Sequence, residues 1–169
     1  MSSSEIARLA AELTEFKQRF GNIIEEQQLS NLIHDYALYH DKCFGSKAGP
    51  EDDSAWESLF DISGTCDLYP IGLHQGREGK MTWAQQTLGG RGRGCQVRLF
   101  NIRVYLNESD PGLATARSYA ILEFIPGDIS KAVTVKGHYD WAFKKVESLW
   151  KVTYVKLTKA ILTGEMAIH

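Results

Sequence analysis

The chain has 169 residues, 43% of them hydrophobic and 24% charged, a globular balance long enough to bury a core without disulfides or a structural metal. Lys and Arg number 19 against 21 Asp and Glu, so the net charge of −2 offers no electrostatic footprint for nucleic acid and no bias toward a membrane surface. The odd, widely spaced Cys43, Cys66 and Cys95 exclude a disulfide framework or zinc knuckle and point to a reducing, cytoplasmic compartment.

No run approaches the roughly 20 apolar residues that a membrane span requires. Met1 to Glu5 lacks the basic patch and apolar stretch of a secretory signal. The first element is a helix, opened by the capping box Ser2-x-x-Glu5, with Ile6, Leu9, Ala10, Leu13 and Phe16 at helical spacing and Gly21 as its C-cap. A second helix spans about Glu25 to Asp41, with Leu29, Leu32, Ile33, Tyr36 and Ala37 on one face. Neither is apolar all round, so both are expected to lie over another layer.

Residues 44–53 read as a loop, followed by a short helix from Ala55 to Phe60 capped by Asp53 or Ser54. Cys66 to Tyr69 reads as a strand ended by Pro70, and Glu78 to Leu88 as a helix closed by Gly89-Gly90. Four long strands follow, at Cys95–Leu106, Ala114–Ile125, Ala132–Lys144 and Leu149–Leu162, with turns at residues 107–112, 126–128 and 144–148. Helices first and consecutive strands afterwards imply an α+β fold with an antiparallel meander. The whole chain, 1–169, reads as one domain in which residues 1–21 form a peripheral helix.

The strands carry an ordered set of residues: Arg98-Leu-Phe-Asn101, Ala116-Arg-Ser-Tyr119, Val133-Thr-Val-Lys-Gly-His-Tyr-Asp140 and Trp150-Lys-Val152. This order resembles the nuclear-transport-factor-2-like superfamily, in particular its SnoaL-like polyketide cyclases, scytalone dehydratases and dioxygenase small subunits. The resemblance covers about Leu29 to Leu162 and is closest over residues 133–152. It implies a cone, a curved antiparallel sheet packed against N-terminal helices whose concave face holds a ligand. It also implies a homodimer or homotrimer assembled through the convex face of the sheet.

Asp41 continues the stripe Ile33, Ala37, Asp41, and His40 lies beside Tyr36 and Ala37. A carboxylate at the lip of an apolar cavity suits a general base, although Asp41 could equally end the helix with His40 on the surface. The resemblance places Asp41 where the dehydratases keep an aspartate, and His40 where they have a tyrosine. It places Asn101 where they have a histidine, a departure that removes a proton relay because an amide only donates or accepts hydrogen bonds. By alternation, Leu99, Asn101, Arg103 and Tyr105 share one face, and Tyr139, Trp141 and Phe143 share another. The resemblance to the dehydratases implies that Trp141 and Phe143 stand at substrate-contacting positions, so this second face is expected to line the pocket. His138 and Asp140 then form either an outward pair or a dyad. Glu123, which interrupts an apolar strand, competes with Asp41 as the base.

Tyr36, Tyr69, Trp83 and Tyr119 are candidate pocket walls with polar tips, and His74 is placed at the mouth. The stretch Gly89-Gly-Arg-Gly-Arg-Gly94 reads as a helix-to-strand loop rather than a phosphate loop or an RNA-binding segment. Five histidines without HxH or HExxH spacing give no metal motif, and no cofactor motif is present. Three classes stay open: an acid–base enzyme for a polyketide- or terpenoid-like molecule, catalysing isomerisation, cyclisation or dehydration; a non-catalytic binding or scaffold domain with the same cone; and a small subunit that supports a catalytic partner.

Overall fold

The computed structural model describes residues 2–88, 90, 94–124 and 132–164. Most of the glycine–arginine stretch, the turn at 126–128 and His169 lie outside these residues. The expected two N-terminal helices are one, α1, running from Ser3 to Cys43. Its start is the anticipated capping box: Glu5 N donates to Ser2 Oγ at 3.3 Å and Ser2 N donates to Glu5 Oε2 at 2.6 Å. Gly21 does not end the helix, because a glycine in a helix interior costs only about 1 kcal/mol and no proline follows it.

Leu29, Ile33, Tyr36, Ala37, His40 and Cys43 form the buried face of α1. Residues 2–20, by contrast, are exposed throughout, so the first half of the helix lies over nothing among the described residues. The next helix, α2, spans Pro50–Glu57, earlier than the expected 55–60; proline at its first position and Asp52, whose Oδ2 accepts from Gly49 N at 2.9 Å, set its start. Helix α3 spans Lys80–Leu88.

The strands are β1 (Phe60–Leu68), β2 (Gly72–Gln75), β3 (Cys95–Leu106), β4 (Leu113–Phe124), β5 (Val133–Val146) and β6 (Leu149–Thr163). They form one open sheet in the order β2-β1-β6-β5-β4-β3. The expected antiparallel meander holds for β3 to β6, but β1 joins β6 in parallel, so the sheet is mixed. Register shifts within the β1–β6, β3–β4 and β5–β6 pairs bend the strands and curve the sheet.

The concave face is filled by pairing small residues with large ones. Ala114, Ala116 and Ser118 on β4 stand directly opposite Phe143, Trp141 and Tyr139 on β5. All six are buried, and the Trp141 indole N–H donates to Ser118 Oγ at 3.0 Å. Small side chains on one strand leave the volume that the rings of the next occupy, which is how a close-packed core is reached without voids.

The helix is anchored to this sheet by Glu25. Its carboxylate accepts from Lys145 Nζ at 2.6 Å and from the Trp150 indole N–H at 2.7 Å, tying α1 to the β5–β6 hairpin. The Lys145 hydrogen bond holds the Glu25 carboxyl below its ordinary value of 4.5, against the opposing effect of burial. An acid with a lowered folded pKa stabilises the fold above that ordinary value, and this contribution is lost as pH falls through the folded one. Glu25→Gln is expected to destabilise the protein by about 1–2 kcal/mol at pH 7, with the difference from wild type shrinking below about pH 4.5, as measured by urea denaturation at several pH values.

Candidate functional site

The C-terminal turns of α1 bring His40 and Asp41 against the first residues of β3. Asp41 Oδ1 accepts the Val97 backbone N–H at 2.8 Å, and its side chain is 29% exposed. The buried His40 presents Nδ1 to Cys95 Sγ at 3.8 Å and to Asp41 Oδ1 at 3.9 Å. Its ring lies in an aromatic wall, 4.9 Å from the Phe44 ring, 5.9 Å from Trp56 and 6.1 Å from Tyr36.

Below this rim, Tyr36 occupies the centre of the cone. Its ring is 5.0 Å from Trp141, 5.3 Å from Trp56, 5.8 Å from Tyr139 and 6.1 Å from Phe60. The Tyr36 hydroxyl and the Trp56 indole N–H are both buried, and neither has a hydrogen-bond partner among the described residues. The Tyr139 hydroxyl lies near enough to influence the ionisation of Tyr36, yet not in hydrogen-bonding geometry. Burial drives both phenols well above their ordinary range, and burial followed by the Asp41 charge does the same to the Cys95 thiol. These three groups therefore keep their protons at neutral pH and act as donors. The Asp41 carboxylate lies near enough to the Cys95 thiol and the Tyr139 hydroxyl to oppose their ionisation.

His40 Nδ1, an Asp41 oxygen and Cys95 Sγ lie within 4.8 Å of one another. Bonds of 2.0–2.3 Å place ligand atoms about 3.3–3.7 Å apart around tetrahedral zinc, so these residues could hold a divalent cation after a small contraction.

The sequence-predicted residues divide into three groups. Tyr36, His40, Asp41, Tyr139, Trp141 and Phe143 gather in or at the rim of the interior. Tyr69, His74 and Trp83 lie at the β2–α3 side: the His74 ring is 5.2 Å from that of Trp83, and Lys159 Nζ donates to the Tyr69 hydroxyl at 3.2 Å.

The remaining candidates stand on the other face. Asn101 sits in the β3 bulge with φ of 53° and is exposed. The bulge resets the alternation, so Leu99 turns inward with Ile102 and Val104, while Phe100 turns outward with Arg103 and Tyr105. Tyr119 is outward as well, against Phe100, and Glu123 is outward and paired with Arg98. His138 and Asp140 are also outward, where Asp140 binds Arg117 Nε at 2.7 Å. Outward placement separates Asn101, Tyr119 and Glu123 from the Asp41 rim.

Residues of the interior that escaped the sequence reading include Trp56, Cys95 and Lys80. Cys95 meets His40 only because α1 packs across β3, which no local spacing reveals. Lys80 is fully buried; its Nζ donates to the Gly64 carbonyl at 3.0 Å and lies 4.7 Å from the Phe60 ring centre. Burial lowers its pKa and raises that of the neighbouring Cys66 thiol to about 12. Lys80 lies one helical turn before the buried Ala84, a placement on the inner face of α3 that the sequence does contain.

The profile of the SnoaL-like domain matches residues 22–156. The chain belongs to the SnoaL-like domain family. No curated protein matches this SnoaL-like chain in sequence. Among solved structures, it is similar to a candidate scytalone dehydratase from Novosphingobium aromaticivorans, with a TM-score of 0.68 and 17% identity over 86% of this chain and 91% of that one. It is similar also to the hexachlorocyclohexane dehydrochlorinase LinA-type3 from Novosphingobium barchaimii, with a TM-score of 0.66 and 12% identity over 89% and 97% of the two chains. A third, a nuclear-transport-factor-2-like protein of cystatin-like fold from N. aromaticivorans, gives a TM-score of 0.57 and 16% identity over 92% and 90%. At such identities the likeness fixes the fold, and the chemistry rests on the SnoaL-like chain's own residues.

The unpartnered Tyr36 hydroxyl makes a direct test of this geometry. Tyr36→Phe removes a buried polar group without a partner and is expected to stabilise the fold by about 1 kcal/mol, raising the Tm by roughly 2–4 °C. A fall of similar size in thermal denaturation would mean that the hydroxyl is bonded in solution.

Proposed function

We propose that the protein is a cofactor-independent acid–base enzyme of lyase or isomerase type, acting on a small hydrophobic molecule with Asp41 as the proton acceptor. The observation that carries this reading is one carboxylate, Asp41, beside His40, whose ring packs against Tyr36 and Trp56, the bearers of two unpartnered donors. An apolar body would pack against the Tyr36, Trp56 and Trp141 rings, and an oxygen or another electronegative substituent would accept from the Tyr36 O–H and the Trp56 N–H. Charge developing on that atom as Asp41 removes a neighbouring proton is stabilised by donors already fixed in a dry site. His40 and the Cys95 thiol border the carboxylate and can pass the proton onward.

Family membership and the kinds of structural relative support the reaction class: a dehydratase and a dehydrochlorinase both perform eliminations, which a positioned base suffices to start. Four surface hollows among the described residues, of about 480, 450, 430 and 360 Å³, are lined by residues other than His40 and Asp41. Because His40, Phe44 and Trp56 are themselves buried, on this reading their wall has to move for a substrate to enter. A second reading, a non-catalytic binding or scaffold subunit, draws on the same filling of the cone by its own rings.

The test uses a panel of small hydrophobic ketones, alcohols and halides bearing an abstractable proton. On any compound turned over, Asp41→Asn is expected to keep the melting temperature while lowering the rate by about 100-fold or more. His40→Ala should cost less, because water replaces a relay more readily than a base. Unchanged turnover in Asp41→Asn contradicts the assignment, and binding without turnover across the panel favours the scaffold.

A further inference from the structure

The first half of α1 precedes the stretch matched by the family profile and carries an apolar stripe that its own domain cannot cover. Ile6, Leu9, Leu13, Phe16, Phe20 and Ile23 follow one another at alternating steps of three and four residues, the spacing of the seam positions in a two-helix coiled coil. They are between 45% and 64% exposed. At 3.6 residues per turn, this stripe points about 160° away from the direction of Leu29, Ile33, Tyr36 and His40, the face that grips the sheet. The described domain thus lies on the far side of the helix and no described residue covers the stripe, which leaves it open to a separate body.

We infer that this body is a second copy of the same helix, packed antiparallel. The order of large and small side chains along the stripe selects that arrangement. In antiparallel register the layers become Ile6 against Ile23, Leu9 against Phe20 and Leu13 against Phe16 of the second copy, so each aromatic ring faces an aliphatic side chain. Parallel packing would instead stack Phe16 on Phe16 and Phe20 on Phe20 in adjacent layers, leaving the leucine layers comparatively empty. The flanking charges suit this register, which sets Glu12 beside Arg19 of the second copy twice by symmetry. Parallel register would set Glu12 beside Lys17, also an attractive pair, so the layers rather than the charges select the antiparallel arrangement.

The stretch from Ser3 to Ile24 is about 33 Å long. Covering six large side chains on each of two helices removes on the order of 1,200 Å² from water, the lower end of the range for a specific interface. The polar face between Ser2 and Ile24 carries Glu5, Glu12 and Glu15 against Arg8, Lys17 and Arg19, an even balance that does not fit the basic helix drawn to an anionic membrane. The seam ends where the domain begins: beyond Ile24 the same side of α1 presents Gln27, Asn31 and His34.

Light scattering after size exclusion at tens of micromolar tests the pairing on the full chain. Leu13→Glu with Phe16→Glu is expected to halve the apparent mass while leaving the melting of the domain unchanged. Glu12→Arg alone and Arg19→Glu alone should each weaken association by roughly tenfold at low salt, and the double exchange should restore it. A wild-type chain that is monomeric, or that sediments with phosphatidylglycerol vesicles without pairing, overturns the inference. So does an unchanged mass in the Leu13→Glu, Phe16→Glu variant, which would put the contact on the sheet. Rescue of Glu12→Arg by Lys17→Glu in place of Arg19→Glu would establish the parallel register and refute the antiparallel one.

Discussion

The structure depends on how one tyrosine is seated. Tyr36 projects from the C-terminal part of α1 into the curve of the sheet, and its ring touches residues from α2, β1 and β5 at once. Burying that ring with Trp56, Phe60, Tyr139 and Trp141 fixes the angle at which the helix crosses the sheet. The crossing in turn delivers His40, one turn later, to Cys95, and Asp41 to the backbone of Val97. Packing and site geometry are therefore one arrangement, and a change that moves Tyr36 moves the carboxylate.

The same seating explains why the polar groups of the interior are in tension. Hydroxyl and indole donors enter because the rings that carry them supply the apolar area, each worth roughly 150–250 Å². Their donors then arrive without acceptors, at a cost of about 1–3 kcal/mol for each such group. A fold that tolerates such groups holds a standing preference for any ligand bringing an acceptor atom. Lys80 shows the contrasting solution, a buried ammonium satisfied by the Gly64 carbonyl and the Phe60 ring.

Much of this was legible in the residues, for reasons that separate cleanly. Strands β3 to β6 announce themselves by alternation, and the period of two puts Tyr139, Trp141 and Phe143 on one face, while the resemblance supplies its inward direction. The gathering of Asp41 and His40 beneath one helix face likewise follows from helical spacing. The bulge at Asn101 was not legible: one inserted residue reverses every later side chain, and nothing in Leu-Phe-Asn-Ile marks it. The parallel pairing of β1 with β6 was hidden because the partners are some 90 residues apart and pairing leaves no local signature. Gly21 misled in the opposite direction, since a favoured stop signal was overridden by the continuity of the helix around it. The convex face, with its Arg117–Asp140 pair and exposed Phe100 and Tyr105, also holds Tyr119, which the sequence offers as a candidate pocket wall.

The central claim is that the aromatic interior beneath Asp41 receives a ligand through its two unpartnered donors. The indole N–H resonance of Trp56, assigned by comparison with Trp56→Phe in a ¹⁵N-labelled sample, reports on this directly. Titration with small ketones should shift that resonance downfield as its proton gains an acceptor, while the Trp150 indole, already bonded to Glu25, stays in place. A ligand that leaves Trp56 untouched and instead perturbs the outer hollow formed by Asn101, Arg103, Tyr105, Arg117 and Tyr119 would contradict the account.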